Sequence, residues 1–416
     1  MGESTAHILF IGGVFAKENE AEVIRQAKKS VEFSANELQL RLIAGLRESA
    51  PTEVISAPFI GHYPNQSSTP FFRGFSGPQT LCSYVAFNNL WGFRNLSRAH
   101  ALRRAVRAFA KTPGGKKLIV VFSAHDPFLA AAAYAKRLNP GIRICAVLPD
   151  MPQYMNLESR RGHLYDLFKR FDTGSIYRHL RYADASVVLT EPMASALGIS
   201  DRPYAVAEGI VDSLPEPGRE QPAGQPADGI IRVVYTGKLY LRFGIGYLLD
   251  AFSAIKGGQY RLILCGDGDA ADDIRRAAAR DSRIIFTGQV TPEQAMSYAA
   301  GASVLVNPRR NSGEYTRYSF PSKIIGYLLS GKPVVAFMLD GMPPCYRDFL
   351  FEANPDGDPA EALRAAIEAA VKASPAEAER KRNSFIKYAS DRLLSEKVAE
   401  TILRISFDGK DQPCEN

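Results

Sequence analysis

Residues 309–335 read RRNSGEYTRYSFPSKIIGYLLSGKPVV. The segment opens polar and basic, turns at Phe320-Pro321-Ser322 and runs into an apolar helical stretch. It ends at Gly331-Lys332-Pro333 before a Val-rich strand. A helix N-terminus leaves backbone N–H groups without intrahelical partners and carries the positive end of the helix dipole. Arg309, Arg310, Arg317 and Lys323 add side-chain charge around that end. The combination suits a diphosphate, and a nucleotide-activated substrate is the obvious carrier of one.

Outward from this segment, the second half of the chain alternates strands and helices. Strands are expected at Arg232–Tyr235, Arg261–Cys265, Arg283–Phe286, Ser303–Val306 and Pro333–Phe337. Thr291-Pro292-Glu293-Gln294 has the form of a capping box with Pro at the first helical position. Leu248, Leu249, Phe252 and Ile255 make one apolar helix face. Such alternation implies a doubly wound parallel sheet. Terminal helices are expected over Ala360–Ala373 and Leu393–Ile405.

The first half repeats the theme. Ile8–Ile11 is a strand ending at Gly12-Gly13, and Phe33–Leu46 has helical spacing at Leu38, Leu42 and Leu46. A short strand starts at Val54. Leu118–Phe122 is a continuous apolar run of the kind a buried parallel strand needs, followed by Ile142–Leu148 and Ala185–Leu189. Residues 59–80, rich in Pro, Gly, Ser and Phe, read as a long functional loop. Residues 214–229, LPEPGREQPAGQPADG, read as a linker. The expected organisation is an N-terminal Rossmann-like domain at 1–213, the linker at 214–229, a C-terminal Rossmann-like domain at 230–390 and a closing segment at 391–416. Ligands of such sheets bind beyond the carboxyl ends of the strands.

A chain of 416 residues suits two domains. No apolar run reaches the roughly 18 residues of a membrane span; the longest, such as Phe128–Ala135, are short and alanine-rich. The N-terminus lacks the form of a signal peptide. Five scattered cysteines contain no CxxC pair, which speaks against zinc and a disulfide framework and for a reduced cytoplasm. The net charge is +7. Arg94, Arg98, Arg103, Arg104, Arg107, Lys111, Lys116 and Lys117 occur with no acidic residue among them, and a second basic zone holds Arg160, Arg161, Lys169, Arg170, Arg178 and Arg181. A solvated helix face and attraction to an anionic membrane surface both fit. No nucleic-acid motif accompanies the charge.

The segment Tyr315-Thr316-Arg317-Tyr318-Ser319-Phe320-Pro321-Ser322-Lys323 resembles the donor-site segment of family 4 glycosyltransferases of the GT-B fold, in its polysaccharide-assembly branch. In that family a Glu, seven intervening residues and a second Glu flank this loop and helix start. Here Tyr318 stands at the first position and Gly326 at the second. Tyr235-Thr236-Gly237-Lys238-Leu239, with Arg242 and Gly244, resembles the family's Gly-Arg-Leu…Lys-Gly element, whose two cations hold the donor diphosphate. Lys238 matches the Arg position. The Lys position falls on Phe243, next to Arg242.

The resemblance implies two Rossmann-like doubly wound domains facing a cleft, with the last helix crossing back to the first domain. It implies a retaining glycosyltransferase that needs no metal or other cofactor. The donor is a nucleoside-diphosphate sugar, UDP-linked, and the acceptor a lipid-linked or polysaccharide sugar at the cytoplasmic membrane face. His125, Lys238 and Arg242 are the catalytic candidates. Breaking the anomeric C–O bond puts charge on the departing phosphate, which fixed cations stabilise. Donor-binding candidates are Gly12, Gly13, Gly237, Gly266, Arg309, Glu314, Tyr318, Ser319, Phe320, Pro321, Ser322 and Lys323. Asp126 and Asp150 are candidates on the acceptor side. A structural role stays open for His125, for Gly12-Gly13 as a tight turn, for Asp150 as a turn residue and for Glu314 in a solvated loop. Asp267-Gly268-Asp269 is read as a glycine turn in which Asp269 caps the next helix, not as a metal site. A non-catalytic scaffold of the same fold and a UDP-sugar epimerase are the competing readings.

Overall fold

The computed structural model describes residues 6–28, 31, 33–75, 81–154, 163–215 and 228–409. The chain divides into two compact units, Met1–Asp212 with Arg392–Glu415, and Ser213–Asp391. Most of the expected linker, 216–227, lies outside the described residues.

The strands of the first unit are β1 (His7–Gly12), β2 (Thr52–Ser56), β3 (Phe71–Phe72), β4 (Ser83–Tyr84), β5 (Phe87–Asn88), β6 (Lys117–Phe122), β7 (Ile142–Leu148), β8 (Ala185–Val188) and β9 (Tyr204–Val206). Seven of them form a parallel sheet in the order β4-β2-β1-β6-β7-β8-β9. The central strands are apolar throughout because both their faces are covered: Ile8–Ile11 and Leu118–Val121 are fully buried. The expected loop at 59–80 contains β3, which pairs antiparallel with β5.

Six helices belong to the body of this unit: α1 (Glu20–Gln26), α2 (Phe33–Ser49), α3 (Arg94–Lys111), α4 (Asp126–Leu138), α5 (His163–Leu180) and α6 (Glu191–Ala196). Pro127 in the first turn of α4 suits a helix start. The apolar run after it is buried core, and among the described residues no helix is long and apolar enough to cross a membrane.

The second unit has β10 (Ile231–Thr236), β11 (Tyr260–Cys265), β12 (Ile284–Gly288), β13 (Val304–Asn307), β14 (Val334–Ala336) and β15 (Phe351–Glu352). They form one parallel sheet in the order β12-β11-β10-β13-β14-β15. This is the Rossmann order 3-2-1-4-5-6, with the reversal between β10 and β13. Its helices are α7 (Ile245–Ala254), α8 (Ala271–Arg280), α9 (Pro292–Ala300), α10 (Lys323–Leu329), α11 (Pro359–Lys372) and α12 (Pro375–Arg392). Leu248, Leu249, Phe252 and Ile255 sit in the core beneath β10, and α9 carries its capping box. Helix α12 is not legible in the sequence; only Phe385 and Ala389 of its eighteen residues are buried, which leaves no clear stripe.

The last helix, α13 (Ser395–Phe407), belongs to the first unit. Val398, Ala399, Ile402 and Ile405 enter that unit's core. Gly45 of α2 permits the approach, since a Cβ there would lie 2.1 Å from the Ser395 carbonyl oxygen. The chain leading into α13 is pinned by Val211 N–H donating to Leu393 O at 2.8 Å and Ser395 N–H donating to Val211 O at 3.0 Å.

Candidate functional site

The reversal of strand order in the second unit lies between β10 and β13. The loops that leave these two strands carry the cations singled out in the sequence: Lys238 and Arg242 after β10, Arg309 after β13, and Lys323 at the start of α10. Lys323 is largely enclosed. Burial first, then the charges of Lys238 and Arg309, pull its ammonium down to about 8. Its Nζ lies 5.4 Å from the centre of the Tyr235 ring. Arg309 is also held below the ordinary arginine range, by burial before all else and also by Arg242. Its guanidinium donates to Ser319 Oγ at 2.7 Å, and its buried Nε has no hydrogen-bond partner. Among the described residues no carboxylate pairs with Lys238, Arg309 or Lys323. Cations crowded in this way without a counter-charge favour a bound anion.

Phe243, at the position of the family's Lys, is the common support of two arginines. The Arg242 and Arg309 guanidinium carbons each lie 5.3 Å from its ring centre. That is within cation–π range. Arg242 also lies 4.9 Å from the Tyr240 ring centre. The positive charge missing at 243 is thus supplied by its neighbour Arg242 and held on the Phe243 ring.

The floor beneath these side chains is glycine backbone. Gly237 has φ +122° and Gly266 φ +138°. A Cβ on Gly266 would lie 1.8 Å from Gly237 O, and one on Gly268 2.3 Å from Leu239 O. Gly237 N–H donates to Cys265 O at 2.7 Å and Leu239 N–H to Asp267 O at 2.9 Å, which ties the two strand-end loops together. Tyr327, which sequence reasoning missed, fixes α10 to the end of β10. Its buried hydroxyl accepts the Thr236 N–H at 2.9 Å. No sequence signal marks it, because its partner lies 91 residues away.

The other residues of the 309–335 segment take several roles. Ser319 links to Arg309, and the Tyr318 hydroxyl donates to Glu314 Oε1 at 3.3 Å. Pro321 closes the turn by accepting the Ile324 N–H at 2.9 Å, while Ser322 makes no side-chain cap. The Phe320 side chain is buried edge-on to Tyr346, 5.1 Å between ring centres, so it anchors the loop. Arg310 does not join the cluster; it donates to Pro355 O. Gly326 is exposed, with open space where a Cβ would project. Asp269 does not cap α8, whose N-cap is Ala270; its carboxylate accepts the Leu241 N–H at 2.7 Å and braces the turn that carries Arg242. Among the described residues no group of three His, Cys, Asp or Glu is placed to hold a metal ion.

In the first unit the corresponding reversal lies between β1 and β6, and Gly12-Gly13 and His125 follow those strands. The Gly13 N–H is already taken by Gln39 Oε1 at 2.9 Å, and a Cβ on Gly13 would lie 2.5 Å from the Phe59 ring. The glycine pair therefore serves close packing, with no free N–H at Gly13 for a phosphate. His125 stacks on Phe59 at 5.8 Å. Burial first, then Arg98 and Arg94, push its imidazole down to about 3, so it is neutral at physiological pH. Asp126 accepts from His179 Nδ1 at 2.8 Å. Burial opposes its charge, but the hydrogen bonds from His179 and Ser175 outweigh burial and hold the carboxyl below its ordinary range. Asp150 is exposed in the turn after β7.

Residues 231–372 match the family model described as Glycosyl transferases group 1. Over those residues the second unit is similar to the group 1 glycosyl transferases. Solved structures extend the likeness in fold to both units of the chain. The lipopolysaccharide outer core galactosyltransferase WaaB in its apo form aligns with TM-score 0.60 and 14% identity, over 97% of this chain and 100% of that one. Anabaena Alr3699/HepE in complex with UDP aligns with TM-score 0.59 and 16% identity, over 96% and 98%. Sucrose-phosphate synthase from Thermosynechococcus elongatus aligns with TM-score 0.56 and 16% identity, over 97% and 100%. At these identities the likeness is one of fold, and that fold is GT-B. Among curated protein sequences none matches.

Proposed function

We propose that this chain transfers a sugar from a UDP-linked donor, with retention and without a metal ion, to a lipid-linked or polysaccharide acceptor at the cytoplasmic face of a membrane. The observation that carries the reading is the group Lys238, Arg242, Arg309 and Lys323 around the end of β10, at the strand-order reversal of a unit similar to the group 1 glycosyl transferases. These cations hold the donor diphosphate and stabilise the charge that grows on it as the anomeric bond breaks. The departing phosphate takes the acceptor proton on the same face, so no protein nucleophile is required. The HepE complex with UDP, whose fold this chain shares, supports the choice of nucleotide. The acid-free basic run of α3 supports attraction to an anionic membrane surface.

The test is UDP release from UDP-sugars in the presence of a membrane extract. Turnover in the wild type, with a large loss in Lys238→Ala and Arg242→Ala at unchanged melting temperature, is the expected result. A folded wild type that turns over no UDP-sugar favours a non-catalytic scaffold. Interconversion of the free UDP-sugar without an acceptor identifies an epimerase. Wild-type rates in both variants overturn the diphosphate assignment.

A further inference from the structure

Helices α3 and α4 pack against one another in the first unit and leave a cavity of about 300 Å³ between them. Its polar lining is His100, Arg103, Arg104 and Arg107 of α3 with Tyr134 and Arg137 of α4, and Ala130 completes it. The volume lies at the lower end of small-ligand pockets. It shares no residue with the cation group of the second unit.

The charge in this cavity is unbalanced. Arg104 and Arg107 are three residues apart on one helix, Arg103 and Arg107 four apart, and like charges at those spacings repel. Helix α3 has no acidic residue to offset them. Elsewhere in the chain arginines do have carboxylate partners, as in Arg232–Asp228, Arg283–Asp281, Arg347–Glu352 and Arg364–Glu361. Among the described residues none of the four cavity arginines has one. Two are instead oriented by phenols: Arg107 Nε donates to Tyr134 Oη at 2.8 Å, and Arg137 donates to Tyr182 Oη at 3.2 Å while lying over that ring. Neutral partners position a guanidinium without neutralising it.

The residue type is also selective. All four cations are arginines, although lysine serves equally well for solubility or diffuse attraction. The planar fork of arginine suits two-point contact with phosphoryl oxygens. A phosphoryl group carries about −1.5 to −2 charges at neutral pH, so two of them balance four guanidinium groups. We propose that the α3–α4 cavity is a second anion site, which binds a diphosphate or a pair of clustered phosphoryl groups. Such a group belongs either to a soluble organic diphosphate or to a lipid headgroup.

Calorimetric titration of the full chain with inorganic pyrophosphate tests this without reference to turnover. Four proteins are compared: the wild type, Arg104→Gln/Arg107→Gln, Lys238→Ala/Lys323→Met, and the two pairs of substitutions combined. The wild type and the second-unit variant should both bind pyrophosphate at the cavity. The cavity variant should weaken that binding by on the order of tenfold for each guanidinium removed. Its melting temperature should hold or rise, because it relieves repulsion between exposed charges. Flotation with phosphatidylcholine vesicles, with and without phosphatidylglycerol, separates the sources. Loss of anionic-vesicle binding in the cavity variant assigns the site to lipid phosphate, and unchanged vesicle binding assigns it to a soluble diphosphate. Pyrophosphate binding by the second-unit variant that stays unchanged when Arg104→Gln/Arg107→Gln is added to it overturns the proposal, as does binding abolished by the second-unit substitutions alone.

Discussion

The Lys323 side chain occupies the space a Cβ on Gly237 would need: such an atom would lie 2.0 Å from Lys323 Cε and 2.1 Å from Nζ. The glycine after β10 and the lysine that opens α10 are therefore one device, although they lie far apart along the chain. Gly237 also adopts φ +122°, which L side chains rarely take. Gly237→Ala should destabilise the chain by about 1–3 kcal/mol through backbone strain and should displace the ammonium as well. Lys323→Ala in the same chain should restore part of the stability but none of the nucleotide binding. A double-mutant cycle read by melting temperature, with and without UDP, checks this. Additive effects on stability would show that the two side-chain sites do not compete for space.

The same lysine makes a pH prediction. Its folded value, about 8, lies below the unfolded value of 10.5. Between those values the unfolded chain binds more protons, so this group's contribution makes stability rise as pH rises from about 8 to 10.5. Nucleotide affinity runs the other way, because the diphosphate favours the charged ammonium. UDP binding should weaken as pH rises through 8 and should be accompanied by proton uptake. Calorimetry in buffers of different ionisation enthalpy measures that uptake, and Lys323→Met should abolish it.

What is readable from sequence and what is not divide along physical lines. The cations at 238, 242, 309 and 323 are legible because each charge sits in a short motif directly beyond a strand or at a helix start, and topology then brings them together. The parallel sheets follow from the alternation of apolar runs and helix faces. What the sequence hides depends on contacts distant along the chain. Gln39 claims the Gly13 N–H from α2, and Tyr327 reaches Thr236 from α10. Arg98 reads as one of a uniform basic run on α3, yet it is 1% exposed, with its guanidinium donating to Pro58 O and lying 4.3 Å from the centre of the Phe87 ring. Lys117 is likewise turned inward to Phe109 O. Periodicity gives the face a residue occupies, not whether a loop from elsewhere covers it.

His125 supplies a prediction in the acid range. Its folded value of about 3 lies below the unfolded 6.5, so the unfolded chain again binds more protons between these limits. Stability from this site is complete above about 6.5 and is lost as pH falls toward 3. His125→Asn, which cannot titrate, should flatten the acid limb of a urea-unfolding series between about pH 4 and 6.5. The turnover profile of the wild type above pH 6.5 should carry no inflection from this residue. An unchanged acid limb in the variant would remove His125 from the account of acid stability.

Gly326 offers a gain-of-function test of the donor reading. It lies on the exposed face of α10, with nothing within 4 Å of a built Cβ and no positive φ. Gly326→Glu should fold normally and gain up to about 1 kcal/mol, since glycine is a poor helix former. The resemblance places a carboxylate here against the ribose hydroxyls of the donor nucleotide. The added side chain should tighten UDP by roughly tenfold through charge-assisted hydrogen bonds. Pyrophosphate is the necessary comparison. It has no ribose, and a new negative charge one helical turn from Lys323 should leave its affinity unchanged or lower it. A UDP gain without a pyrophosphate gain places the ribose beside position 326. Equal weakening of both ligands would show that the introduced carboxylate merely quenches the Lys323 charge and that the nucleotide lies elsewhere.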